Sequence, residues 1–244
     1  MTIIAALDGS KLDDEFVSRI IQSESFNSDV IDSVILHNKI FVNKPEIIDV
    51  LNEKGIKPYL KIDNGQYENG TMKKPDFADL KLKLSSFDVI GTKSRSIVYD
   101  LIDMPMILKQ QMTWAALVWQ AGKVPIIEPE ILQDTPGKGE LELYLNHTLH
   151  LILQDFKGKV ILKLSMPEHD GLYEDLLELD QVTRIVALSG GLARHVACEK
   201  LSRQPNMGAS FSRALLEDLD NSMSNKILNK GLENNINEIL EACN

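Results

Sequence analysis

A single-domain (β/α)8 TIM barrel is the fold the sequence predicts, and three observations predict it. Eight short apolar runs, most of them rich in β-branched residues, punctuate the chain. Segments with apolar residues at i, i+3 and i+4 lie between them, an alternation that implies a parallel sheet. The length of 244 residues suits a barrel, which needs about 250, and leaves no room for a second domain.

The runs fall at 3–8, 34–37, 58–63, 88–95, 124–130, 160–166, 184–190 and 208–213. The first, Ile-Ile-Ala-Ala-Leu-Asp, reads as a buried opening strand that meets its first charge at Asp8. One amphipathic helix over 13–22 must carry the short crossover to the second run. Further helices are predicted over 44–54, 104–121, 141–156, 192–201 and 226–243. The stretch 133–139, with Pro136, Gly137 and Gly139, is a local connection from strand to helix. No repeat, low-complexity tract or Pro/Ser linker divides the chain, so residues 1–244 read as one domain.

Composition narrows the function. Apolar residues make up 43% and charged residues 25%, ordinary for a packed globular protein. Cys198 and Cys243 are the only cysteines, so neither a disulfide framework nor a Cys-based zinc site is expected, and a reducing cytoplasm fits. A net charge of -10 argues against nucleic acid or anionic membrane as a partner. No apolar run approaches the roughly 20 residues that span a bilayer, and the N-terminus lacks the basic region of a signal peptide. The five histidines, His37, His147, His150, His169 and His195, show no ligand cluster, so no metal is expected. Barrels of this kind often associate, so a homo-oligomer is compatible with the fold.

The runs share a way of ending. Asp8, Lys61 with Asp63, Lys93 with Arg95, Glu128 with Glu130, Lys163, Ser189, and Ser212 with Arg213 all close apolar stretches. Barrel enzymes carry their active sites at the C-terminal ends of the strands, so such residues from many strands converge on one mouth. Lys163 stands out, because Val-Ile-Leu-Lys-Leu-Ser-Met surrounds it with apolar neighbours. Desolvation favours the neutral amine that attacks carbonyls. Glu128 and Glu130, two apart across Pro129, point the same way along their strand and suit acid/base work or an ion-pair network. Lys61, Lys93, Arg95 and Arg213 would focus an anionic substrate, and the backbone of Ser189-Gly190-Gly191 could cradle a phosphate.

With these motifs in order along nearly the whole chain, the sequence resembles the class I fructose-bisphosphate aldolases, most closely their bacterial branch. Val-Pro-Ile-Ile-Glu-Pro-Glu at 124–130, Leu-Lys-Leu-Ser-Met at 162–166 and Leu-Ser-Gly-Gly at 188–191 carry the resemblance. Pro-Tyr-Leu-Lys-Ile-Asp at 58–63 and Gly-Thr-Lys-Ser-Arg at 91–95 support it. The resemblance implies a lyase that cleaves a phosphorylated sugar, fructose 1,6-bisphosphate, without a cofactor. Lys163 is then the Schiff-base lysine, Glu128 its acid/base partner and Glu130 the companion carboxylate. Asp8 assists C–C cleavage, and Lys93 keeps the imine lysine unprotonated and polarises the substrate hydroxyl. Lys61 and Arg95 contact hydroxyls or the far phosphate, while Ser189, Gly190, Gly191 and Arg213 hold the phosphate next to the ketone.

Three departures from the family pattern are visible. Gly9-Ser10-Lys11 runs straight toward a helix where the family has a longer Ser/Gly-rich segment, Asn64 stands where a basic residue is common, and no terminal tyrosine ends the chain. The first bears on the 6-phosphate, so an imine-forming aldolase for another ketose phosphate is the nearest rival reading. A barrel-derived binding protein without activity is the rival from another class.

Overall fold

The structure is a computed structural model that describes residues 2–243. They form eight parallel strands in the order β1 to β8, each pairing with the next. The strands are β1 (Ile3–Leu7), β2 (Ile31–Leu36), β3 (Lys57–Lys61), β4 (Gly91–Ile97), β5 (Val124–Glu130), β6 (Val160–Ser165), β7 (Val182–Leu188) and β8 (Gly208–Ala209). The N–H of Ala6 in β1 donates to the carbonyl of Phe211 just after β8 at 3.2 Å, drawing the sheet into a barrel. The predicted fold class therefore stands.

Helices cover the outside. They are α1 (Asp14–Gln22), α2 (Asn38–Asn43), α3 (Glu46–Glu53), α4 (Phe77–Ser86), α5 (Met104–Gln120), α6 (Lys138–Gln154), α7 (Arg194–Leu201), α8 (Arg213–Leu216) and α9 (Asn225–Ala242). Side chains place several starts: Asp13 accepts the N–H of Phe16, and Asp76 accepts that of Asp79, each satisfying a donor the first turn leaves free.

Four sequence expectations change. The helix predicted over 44–54 begins earlier as α2 and restarts as α3, because Pro45 cannot donate to a continuing helix. Between β6 and β7 there is no α-helix; a 3-10 turn over Glu174–Glu178 makes the crossover after Pro167 and Gly171. The eighth run shortens to Gly208–Ala209, and Arg213 opens α8 instead of ending a strand. Helix α4 lay unpredicted behind a segment rich in lysine, Lys81 and Lys83.

Two apolar clusters follow from the strand period of two. Alternate residues such as Ala5, Leu7, Val34, Leu36, Ile127 and Leu162 pack outward against the helices. Ile4, Ala6, Ile35, Tyr59, Ile126, Ile161 and Val186 fill the inside. These inner side chains pack against one another as a plug, and burial of each isoleucine or valine among them contributes about 1.5–3 kcal/mol. No helix among the described residues is long and apolar enough to cross a membrane.

Candidate active site

The inward period continues one pleat further along the strands. Two residues beyond Ala6, Tyr59, Ile126 and Ile161 stand Asp8, Lys61, Glu128 and Lys163, and Lys93 lies beside Lys61 in register. The apolar plug is thus topped by a layer of ionisable side chains at the C-terminal mouth. Asp8, Lys93, Glu128, Glu130 and Lys163 are all buried.

Burying charge is costly unless it is paired, and these groups are paired. The Lys93 ammonium lies 2.6 Å from Asp8, 3.0 Å from Glu128 and 3.7 Å from Asp63. Burial alone would discharge it, but those three carboxylates outweigh burial and hold it above the ordinary lysine range. The same balance works in reverse on the acids. Burial raises Asp8, yet Lys93, Lys163 and Lys61 together hold its carboxyl well below the usual range. Glu128 is likewise pushed up by burial and pulled down further by Lys163 and Lys93.

Glu128 is the hinge of this net. One carboxylate oxygen lies 3.4 Å from Lys163 Nζ and the other 3.0 Å from Lys93 Nζ. The second oxygen is buried and makes no hydrogen bond of good geometry. Glu130, expected beside Glu128, turns elsewhere: Nε of Arg95 donates to it, and Nη1 of Arg95 also donates to Gln66 at 3.1 Å. Arg95 pairs directly with Glu130 and also feels the charges of Glu128 and Asp63.

Gly190, Gly191 and Arg213, expected to serve one phosphate, lie close together. Gly190 and Gly191 have φ of +57° and +84°, a region glycine enters without steric cost. A β-carbon on Gly191 would lie 2.6 Å from Nη2 of Arg213, so the guanidinium sits directly against the glycine backbone. Ser189 is buried beside them. Helix α7 starts only at Arg194, so the three residues form a turn and do not themselves open the helix.

Sequence reasoning missed two residues of this layer. Asp63, named as a strand-end charge but given no part in the site, lies 3.7 Å from both Lys61 and Lys93 and accepts the backbone N–H of Arg95 at 3.1 Å. Its spacing of two from Lys61 was the available signal. His37, weighed only as a metal ligand, follows β2 at the same inward period, two residues beyond Ile35.

No family model matches the chain. Among curated proteins it is 38% identical over 241 residues to the fructose-bisphosphate aldolase class 1 of Clostridium acetobutylicum, across 93% of this chain and 82% of that protein. It is 35% identical over 236 residues to the protein of the same name from Porphyromonas gingivalis, across 92% and 80%. Among solved structures, the fructose-bisphosphate aldolase of Plasmodium falciparum is similar at a TM-score of 0.78 over 98% of this chain and 89% of that one. At 17% identity that likeness speaks for the barrel alone. The two bacterial relatives speak for more, and the chain belongs to the class 1 fructose-bisphosphate aldolase family.

Proposed function

We propose that this family member cleaves fructose 1,6-bisphosphate reversibly through an imine formed on Lys163. The observation that carries the reading is Glu128, a buried carboxylate lying between Lys163 at 3.4 Å and Lys93 at 3.0 Å. A base that close to an enclosed amine serves every proton transfer the imine route needs.

The steps follow from the chemistry of those groups. The Lys163 amine attacks the C2 ketone, and Glu128 carries protons while the carbinolamine loses water. The iminium then acts as an electron sink. Glu128 takes the C4 hydroxyl proton, the C3–C4 bond breaks, its electron pair enters the iminium, and glyceraldehyde 3-phosphate leaves. The remaining enamine takes a proton at C3 and is hydrolysed to dihydroxyacetone phosphate, which frees the lysine. Lys93, held as a cation, stabilises the negative charge that develops on the C4 hydroxyl oxygen, and Asp8, held as an anion, accepts a hydrogen bond from the hydroxyl and orients it. Glu130 acts through Arg95, with which it is paired, and assists dehydration from the rim. Lys61 and Arg95 take the hydroxyls and far phosphate; Ser189, Gly190, Gly191 and Arg213 take the phosphate beside the ketone.

The protein works in the cytoplasm on this reading, which its two unpaired cysteines support. Incubation with dihydroxyacetone phosphate followed by borohydride should fix a covalent adduct, mapped by mass spectrometry to Lys163. An adduct elsewhere, or none, sinks the mechanism. Comparing kcat/KM for fructose 1-phosphate and the bisphosphate tests the short segment after Ser10. Similar values would mean that the 6-phosphate is little used.

A further inference from the structure

His37 occupies a place in the barrel mouth that the reaction as described leaves unused. In the strand register Leu7 pairs with Leu36, and Leu36 with Leu60. One residue further on, the row reads Asp8, His37, Lys61, and Lys61 pairs with Lys93. Ala6, Ile35 and Tyr59, two residues back, all face the inside. His37 therefore faces the same mouth as Asp8 and Lys61, and it is half-buried between them.

Its tautomer is set by the fold. His37 caps α2, and its Nδ1 accepts the backbone N–H of Lys39 at 3.2 Å. An Nδ1 that accepts leaves the ring proton on Nε2. Burial, then Lys61 and Lys39, hold the imidazole below its ordinary range, against the pull of Asp8 and Asp63. The ring so fixed carries one donor, Nε2–H, and no free acceptor, so in this form it cannot serve as a base.

Position decides which part of the substrate it meets. In the eight-stranded order β2 lies four strands from β6, so His37 and Lys163 face each other across the barrel. With C2 on Lys163 and the adjacent phosphate at the β7–β8 cradle, carbons 4 to 6 extend toward the β1–β3 wall. We propose that Nε2–H of His37 is a fixed donor to a hydroxyl of the aldehyde half of the substrate, the half released as glyceraldehyde 3-phosphate. This rests on the role given to Lys163, and it makes His37 a specificity residue, since it takes no part in forming the imine.

Two reactions separate the halves. Cleavage of fructose 1,6-bisphosphate needs both, whereas solvent exchange of the C3 proton of dihydroxyacetone phosphate needs only the imine and the enamine. Two variants of the full chain separate the ring nitrogens. His37→Asn supplies an acceptor where Nδ1 lies and so keeps the helix cap, but it does not reach the substrate. His37→Gln places its amide N–H where Nε2 lies. Cleavage kcat/KM should fall by roughly tenfold or more in H37N, the scale of one hydrogen bond lost to a substrate hydroxyl, with exchange changed less than about twofold. H37Q should recover most of the cleavage. Equal losses in both reactions, no loss in either, or H37Q as impaired as H37N would overturn the proposal. Borohydride trapping on the wild-type chain keeps the two readings apart. An adduct on Lys163 with any of those failures removes His37 alone, and no adduct removes the imine and this proposal together.

Discussion

The inside of this barrel is two layers made by the same strands, and their chemistry is opposite. The lower layer, with Ala6, Ile35, Tyr59, Ile126 and Ile161, is apolar and excludes water. The upper, one pleat on, holds Asp8, His37, Lys61, Lys93, Glu128 and Lys163. Both are enclosed by the same wall, yet the lower layer is stabilised by burial and the upper layer tolerates burial only because its charges answer one another. The lower layer is a platform: it fixes strand spacing, and strand spacing fixes where an amine meets a carboxylate.

Substitutions should separate the layers. Lys163→Ala should give the largest effect, a loss of activity on the order of 10^4-fold, about 5 kcal/mol of transition-state stabilisation, together with loss of the borohydride adduct. Circular dichroism and thermal unfolding check that the fold survives.

Lys93→Met should instead strike stability. It leaves Asp8, Glu128 and Asp63 facing one another without their shared cation, and removal of one partner from a buried ion network costs about 3–5 kcal/mol. Urea denaturation measures it, and an unchanged midpoint would mean that water enters the mouth freely. In the lower layer, Ile126→Ala should cost about 2–4 kcal/mol of stability through the cavity it opens. Its kcat should fall far less than that of the Lys163 variant if the platform only holds the site. Gly191→Ala should cost about 1–2 kcal/mol from its φ of +84°. Because the new methyl displaces Arg213, KM for the sugar phosphate should rise more than kcat falls.

The smallest effect is pH dependence. Asp8 and Glu128 have carboxyls held below their unfolded values, so their contribution is complete at neutral pH and is lost as pH falls through the carboxylate range. Lys93 is held above its unfolded value, so its share is complete at neutral pH and is lost only when pH rises past the ordinary lysine range. Chemical denaturation of the wild type should therefore show a plateau around neutrality and a decline below about pH 4. In Lys93→Met the acid decline should be shallower, since the two carboxyls lose the cation that depresses them most directly.

Much of this was legible along the chain because it is local. Continuous apolar runs give strands buried on both faces, and the charge that closes each run marks the mouth without any knowledge of its neighbours. Lys163, Glu128, Lys93 and Asp8 were found in this way. Glu130 shares a face with Glu128 as the strand period implies, but that period says nothing of which cation holds each: Arg95 pairs with Glu130, while Lys163 and Lys93 lie against Glu128.

By itself the sequence determined the barrel, the strands and the residues that end them, because a period of two and the cost of burying a lone charge are properties of a segment and its solvent. Only the tertiary structure decided who pairs with whom. Lys93 on β4 joins Asp8 after β1 and Glu128 on β5, Arg213 after β8 meets Gly191 after β7, and His37 takes its place in the row between Asp8 and Lys61. Those contacts depend on the register between strands far apart in sequence. Register is set by how the whole sheet closes around its apolar plug.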